Sequence, residues 1–305
     1  MGENESSKQE EKALTTADKK TGLVLEGGAM RGMFTAGVTD VMMENGIEFD
    51  GIIGVSAGAT FGCNYKSRQP GRTIRYNLAF CKEPRYCSFR SLFKTGDLYG
   101  ADFCYRLLPD ELDPFDKAAY NANPTAFYSV VTDIESGQPV YHRCDDAQDS
   151  MEWMRASASM PVFSTPVALD GHFYLDGGIS DSIPLKAFED MGYNRNVVIL
   201  TQPADYIKKH NKYMPYLRMR FGRKYPEMVK DLDERHDFYN KQRAYVRRRA
   251  SEGGTYVVMP DFPLKIGSIC HNPADLRRVY AQGRVVGEKH VEGIKAFLAD
   301  RKSVV

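Results

Sequence analysis

"GIIGVSAGAT", residues 51–60, sets an apolar run directly ahead of Gly54, Ser56 and Gly58. A Gly-x-Ser-x-Gly that follows a buried strand and opens a helix is a nucleophile elbow. Its small residues let the backbone turn sharply, and the serine hydroxyl projects from the bend. Small residues in an ordinary tight strand-to-helix turn look the same. The stretch therefore leaves two readings open until a proton acceptor and an oxyanion site are found elsewhere in the chain.

Upstream, "GLVLEGG" (22–28) carries Leu23, Val24 and Leu25 as a short apolar run closed by paired glycines, the pattern of a buried parallel strand. "RGMFTAGVTDVMMENG" (31–46) then places Met33, Phe34, Gly37, Val38, Val41 and Met42 at helical spacing, with Gly46 as C-cap. "FDGIIGVS" repeats the strand signal and "AGATFGCNYKSR" (57–68) the helical one. Strand alternating with helix predicts an α/β fold with a parallel sheet. Further strands are expected at 125–133, 138–143, 163–170, 172–176, 196–200 and 255–260, and helices at 71–82, 146–158, 183–191, 225–250 and 273–300. Strands occur at both ends with no Gly/Ser/Pro-rich linker between them, so one domain over 21–305 is expected.

Composition narrows the function classes. The 305 residues include 41 Lys and Arg against 40 Asp and Glu, so no global charge draws the chain to nucleic acid. The six cysteines (Cys63, Cys81, Cys87, Cys104, Cys144, Cys270) form no CxxC pair, which argues against a zinc site or disulfide scaffold and for reduced thiols. No apolar run reaches the roughly 18–20 residues of a membrane span. Residues 1–20 are polar and read as a disordered tail, although Met1, Gly2 and Ser6 match an N-myristoylation pattern. The expectation is a soluble or peripheral membrane protein of the cytoplasm. Residues 206–249 depart from the neutral average, with 14 Lys or Arg against 5 Asp or Glu, interleaved with Tyr213, Met214, Tyr216, Leu217, Met219 and Phe221. This basic helical excursion (about 206–250) reads as a solvated face or as a peripheral contact for an anionic membrane. Nucleic acid is not expected, since no recognition motif accompanies it.

A serine nucleophile needs a base. His210, His236 and His290 lie in charged helical stretches, His142 and His172 are flanked by strand residues, and His271 precedes a helix start. A carboxylate serves if it is desolvated and held against the hydroxyl. Asp176 ends the apolar run of "HFYLDGGISDSIP" (172–184) and is followed by Gly177 and Gly178, which places it at a strand end, although an ordinary Asp-Gly turn would read alike. For the oxyanion, "EGGAMRG" (26–32) offers the amides of Gly27, Gly28 and Ala29 at the first strand's end, with Arg31 as brace, anion ligand or plain surface residue. The same loop is a near match to a dinucleotide fingerprint, Gly27-x-Ala29-x-x-Gly32 with Asp50 18 residues on. That reading leaves Ser56 and Asp176 unexplained.

Four segments in order, "GGAMRG" (27–32), "GVSAG" (54–58), "RASASMPVFSTPV" (155–167) and "DGG" (176–178), resemble the patatin-like phospholipases, serine acyl hydrolases with a Ser-Asp dyad. The resemblance spans about residues 21–200. It implies a three-layer α/β/α fold with a mainly parallel central sheet, Ser56 as nucleophile and Asp176 as base. The oxyanion hole would be Gly27, Gly28, Ala29 and Arg31, with Gly54 and Gly58 shaping the elbow and Gly177 and Gly178 the Asp-Gly motif. It further implies release of a fatty acid from a lipid or acyl ester substrate, without metal or cofactor. A broad carboxylesterase or acyltransferase, and an idle membrane-binding relative, are the alternatives. Two positions depart from the family pattern: Ala29 stands where a third glycine is common, and Asp181 and Ser182 where an asparagine is common. Ala29 fits only if the backbone there does not need positive φ. Residues 80–125, rich in Phe, Tyr and Leu, are read as an acyl pocket or lid, or as a satellite of the core.

Overall fold

The structure, a computed structural model, describes residues 20–300. The tail and the Gly2 pattern fall outside the described residues, save for Lys20. Among the described residues, eight strands form one sheet: β1 (Thr21–Leu25), β2 (Gly51–Val55), β3 (Ala126–Asp133), β4 (Pro139–Arg143), β5 (Val167–Leu169), β6 (His172–Asp176), β7 (Arg195–Ile199) and β8 (Thr255–Val258). In the order β8, β7, β1, β2, β3 they pair in parallel. The helices are α1 (Gly32–Glu44), α2 (Ala57–Lys66), α3 (Arg72–Phe80), α4 (Phe89–Thr95), α5 (Lys117–Ala122), α6 (Ala147–Ser157), α7 (Leu185–Asp190), α8 (Met214–Phe221), α9 (Pro226–Ser251) and α10 (Pro273–Ala299). A wide π-helical turn, Phe103–Leu112, contains Pro109.

Because successive strand residues face opposite sides, a fully apolar strand must be covered twice. Leu23, Leu25, Ile52, Val197 and Ile199 pack into one core with Phe34, Val38, Phe61, Leu276 and Val286 of α1, α2 and α10. Val24, Ile53, Val55, Val130, Val198 and Leu200 point the other way, onto Leu185 and Phe188 of α7 and Tyr239 and Val246 of α9. The result is a three-layer α/β/α arrangement. A third cluster joins Leu175 and Ile179 to Met214, Leu217, Met228 and Leu232. Through it α8 and the first half of α9 lie over the end of β6. The basic segment is thus partly a structural layer, and some of its charges, Arg235 and Arg243 among them, turn inward.

One expected strand is shortened. Of 163–170 only Val167–Leu169 joins the sheet. Pro161 and Pro166 supply no N–H to a ladder, and Val162 takes φ 75°. The segment turns out of the sheet and docks on residues 97–98: Leu98 N–H donates to Phe163 O (2.8 Å) and Thr165 N–H to Asp97 Oδ1 (2.7 Å). No described helix is long and apolar enough to cross a membrane.

The first layer depends on backbone contact between α1 and α10. A Cβ on Gly37 would stand 2.2 Å from Tyr280 O, and one on Gly283 2.1 Å from Phe34 O. Two helices this close tolerate no side chain between them. Gly283→Ala is therefore expected to destabilise the protein by about 2–3 kcal/mol, seen as a drop in Tm of roughly 5–8 °C.

Candidate active site

At the C-terminal end of β2 the chain reverses into α2 through Ser56, whose backbone sits at φ 55°, ψ −121°. A non-glycine residue in that region is strained by about 1–3 kcal/mol and persists only where its surroundings impose it. They do so here by close approach. A Cβ on Gly54 would stand 2.5 Å from Gly58 O, and one on Gly58 2.3 Å from Leu25 O. Only glycines let α2 fold back onto the sheet at this pitch. The Ser56 N–H donates to Ser157 Oγ (2.9 Å), which itself donates to Val130 O (2.6 Å).

Strand register brings Asp176 to the same point. Tyr128 of β3 pairs with Ile53 of β2 on one edge and Arg143 of β4 on the other, while Thr132 pairs with Pro139 of β4 and Leu175 of β6. β2 and β6 therefore share the edge of β3 opposite β4. β2 runs parallel and ends with Val55 beside Val130; β6 runs antiparallel and ends with Asp176 beside Val131. Two strands of opposite direction meet tip to tip, with Ser56 and Asp176 as their next and last residues. The Asp176 N–H donates to Ser159 O (2.8 Å), and Thr132 Oγ1 donates to Asp176 O (2.9 Å). Asp176 Oδ1 accepts from Gly178 N–H (2.7 Å), and the Ser56 hydroxyl stands against the same carboxylate, where it favours the charged form. Burial pushes the Asp176 carboxyl above its ordinary value, against the opposing pull of the Ser56 hydroxyl, the Arg235 charge, the Gly178 amide and the Lys208 charge. Net desolvation makes it a stronger base than a solvated aspartate.

The glycine loop lies against the elbow: a Cβ on Gly27 would be 3.0 Å from Ser56 Cβ. Its backbone bonds use the amides of Glu26 (to Ile199 O) and Arg31 (to Gly28 O). Among the described residues no backbone acceptor takes those of Gly27, Gly28 or Ala29. Ala29 does take a positive φ, 49°. The position thus calls for the conformation glycine favours, and alanine holds it at a cost of about 1–2 kcal/mol. Buried Glu26 anchors the loop by accepting from Thr201 N–H (2.5 Å), Thr201 Oγ1 (3.1 Å) and Tyr239 OH (2.5 Å). On the Asp-Gly side, Gly178 O accepts from Ser182 Oγ (2.8 Å) and from Arg235 Nε. Asp181, where an asparagine is common, is held by Tyr141 OH (2.8 Å) and Gln242 Nε2.

From Ser56 a cavity of about 250 Å³ runs away beneath α2, walled by Tyr76, Tyr86, Leu98, Tyr105, Phe115 and Met154. Residues 80–125 thus supply both pocket wall and core, since Tyr86, Leu98 and Phe115 do both. Burial pushes the phenols of Tyr86, Tyr99 and Tyr105 well above their ordinary value, which keeps the wall uncharged.

The rival assignments separate in space. Each histidine is engaged elsewhere: His142 stacks on Trp153 (3.7 Å), while His172, His210, His236, His271 and His290 contact Asp133, Asp233, Asp233 O, Cys81 O and Tyr256. Asp50 precedes β2 and accepts from Thr21 N–H (2.7 Å), at the end of the sheet opposite the glycine loop. A dinucleotide acid belongs at the carboxyl ends of the strands, so that fingerprint is not assembled. Sequence reasoning missed Ser157, Glu26, Lys208 and Arg235. Ser157 lies in the quoted "RASAS" block, but nothing marked which serine faced the elbow.

Comparison with known proteins identifies the family. The patatin-like phospholipase family matches residues 23–189, and a domain family of unknown function (DUF6363) matches 225–299. The chain belongs to the patatin-like phospholipase family, which places it among the carboxylic ester hydrolases of lipids. It is 26% identical to the Escherichia coli (strain K12) protein YjjU over 92% of this chain and 79% of that one. It is 24% identical to the lysophospholipase NTE1 of Cryptococcus neoformans over 79% of this chain and 15% of that one. Against the neuropathy target esterase sws of Drosophila melanogaster it is 26% identical over 56% and 12%. The chain therefore spans most of YjjU and a small part of the other two. The solved structure of VipD from Legionella pneumophila aligns at a TM-score of 0.47 and 12% identity over 90% of this chain and 67% of that one.

Removing the Ser157 hydroxyl would leave the Ser56 N–H buried without an acceptor. Ser157→Ala is expected to cost about 1–3 kcal/mol of stability. Thermal unfolding reads the stability, and the elbow's loosening is read as slower acylation of Ser56 by an activated ester.

Proposed function

We propose that the protein is a serine acyl hydrolase that releases a fatty acid from a single-chain lipid ester through Ser56 and Asp176. The reading rests above all on one observation: the Ser56 hydroxyl stands against a buried carboxylate and lines an apolar cavity. Ser56 Oγ attacks the ester carbonyl carbon while Asp176 takes its proton. The amides of Gly27, Gly28 and Ala29 hold the negative charge that develops on the carbonyl oxygen. The bond to the alcohol breaks, Asp176 returns its proton to the leaving oxygen, and the acyl group stays on Ser56. Water then attacks the acyl-enzyme, giving its proton to Asp176, and the fatty acid leaves as the proton returns to Ser56.

Cavity size bears on the substrate. An engineered cavity of about 150 Å³ holds a benzene ring, so about 250 Å³ has room for roughly ten carbons. That suits one medium-length acyl chain, in keeping with the lysophospholipase names of several relatives. Expected outcomes are hydrolysis of p-nitrophenyl octanoate faster than of the palmitate, and loss of at least about 10³-fold in Ser56→Ala. Activity that persists unchanged in Ser56→Ala would refute the reading.

The base must be deprotonated to act, so kcat/KM falls as pH drops through the Asp176 pKa. Burial raises that pKa, and the acid limb is expected above the ordinary aspartate value of 3.8. The Arg235 charge opposes the rise, so Arg235→Gln should move the limb to still higher pH. A pH–rate profile of both proteins measures the displacement and its sign.

A further inference from the structure

Three cations from three parts of the chain, none of them lining the acyl cavity, are charge neighbours of one another, and two of them, Lys208 and Arg235, of Asp176. Arg31 lies on the turn after the glycine loop, and its Nη2 is 3.3 Å from where a Cβ of Gly28 would stand. Its Nε is buried with no hydrogen-bond partner. Arg235 of α9 donates one N–H, from Nε, to Gly178 O, the carbonyl two residues past Asp176. Lys208 follows β7, and its backbone is clamped at both groups by one side chain: its N–H donates to Asn240 Oδ1 (2.9 Å) and its C=O accepts from Asn240 Nδ2 (3.0 Å). Its Nζ stands 4.7 Å over the Tyr239 ring. None of the three enters an ion pair among the described residues. The acids beside them are occupied: Glu26 by Thr201 and Tyr239, Asp176 by Gly178, with the Ser56 hydroxyl against it.

Chemistry fixes what approaches this side. The acyl chain occupies the cavity, and the leaving oxygen must reach Asp176 to receive its proton. The alcohol portion of the substrate therefore lies towards Asp176, Gly178 and the cations. Holding three like charges together in a half-buried place is unfavourable unless an anion joins them, and guanidinium groups match phosphate oxygens with paired N–H donors. We propose that Arg31, Lys208 and Arg235 form a subsite for a phosphate group carried on the leaving alcohol of the ester. The proposal rests on the acyl hydrolase reading for the direction in which the substrate lies. It assigns to the C-terminal region, α9 and the stretch before it, the recognition of the headgroup.

The subsite carries its own pH signature. Burial, with the charges of Arg235 and Arg31, pushes the Lys208 ammonium down to about 7, while Glu26 and Asp176 act the other way. Tyr239, whose phenol burial keeps neutral, is the remaining group against it. A phosphomonoester is already doubly ionised above its second pKa of about 6. As pH rises from 7 to 8.5, Lys208 loses its proton and preference for the phosphate-bearing substrate should fall.

The test is the ratio of kcat/KM for 1-octanoylglycerol 3-phosphate to that for 1-octanoylglycerol. Dispersed substrate is used, with binding of glycerol 3-phosphate and of inorganic phosphate to Ser56→Ala measured by calorimetry. The proposal expects a ratio of about ten or more, as one charge-assisted hydrogen bond supplies, falling several-fold by pH 8.5. In Lys208→Gln the ratio should collapse towards one, and in Lys208→Glu below one. Glycerol 3-phosphate should bind Ser56→Ala, and bind more weakly when Lys208→Gln is added. A ratio near one at pH 7 in the wild-type protein, with hydrolysis intact, overturns the subsite and leaves the hydrolase reading standing. Inorganic phosphate binding without any preference between the esters overturns the headgroup assignment in favour of a free-phosphate site. Glycerol 3-phosphate binding that depends on Lys208 in a protein that cleaves neither ester supports the subsite and refutes the hydrolase reading instead.

Discussion

The tip-to-tip meeting of β2 and β6 along one edge of β3 is the constraint on which the site depends. A parallel strand and an antiparallel strand cannot both continue along that edge, so each stops where the other begins, Val55 beside Val130 and Asp176 beside Val131. Ser56 and Asp176 then stand together although 120 residues separate them in the chain. The end of α6 and the residues just after it fasten both: the Ser157 hydroxyl holds the amide of Ser56, and the Ser159 carbonyl holds that of Asp176. Strain at Ser56 is sustained because its flanking glycines and its amide leave it no other conformation.

In the proposed mechanism this arrangement accounts for a base that is not a histidine. An imidazole between a serine and an acid needs room, and an acid placed behind it to fix its tautomer and orientation. Here the carboxylate abuts the hydroxyl directly, and desolvation supplies the basicity that an exposed aspartate lacks. The cations nearby work against that gain. Arg235 lowers the proton affinity of Asp176, a cost that the proposed phosphate on the departing alcohol would give a use.

Much of this was legible in the sequence, and the division follows range. The elbow, the glycine loop and the Asp-Gly turn are encoded in neighbouring residues, because backbone close approach selects glycine within five or six positions. Strands β1, β2 and β7 read clearly because burial on both faces makes them continuously apolar. Legibility failed where a contact spans the chain. Nothing local marks Ser157 as the partner of an amide 101 residues away, nor Arg235 as the donor to Gly178 O. The basic stretch 206–249 hid its apolar stripe, Met214, Leu217, Met228, Leu232, Tyr239 and Val246, beneath a composition dominated by charge. Residues 80–125 could not be divided into wall and core in advance, since the same side chains serve both. Ala29 shows the reverse case, a local rule set aside: the loop requires a positive φ and keeps an alanine there.

The central claim is that Ser56 is activated by Asp176 alone. Covalent labelling by a fluorophosphonate probe, with the modified peptide identified by mass spectrometry, tests it in the wild-type protein and in Asp176→Asn. The account predicts stoichiometric modification of Ser56 in the first and a rate lower by about two orders of magnitude or more in the second. Modification of Ser56 at the same rate in Asp176→Asn, or of a different serine, would contradict it.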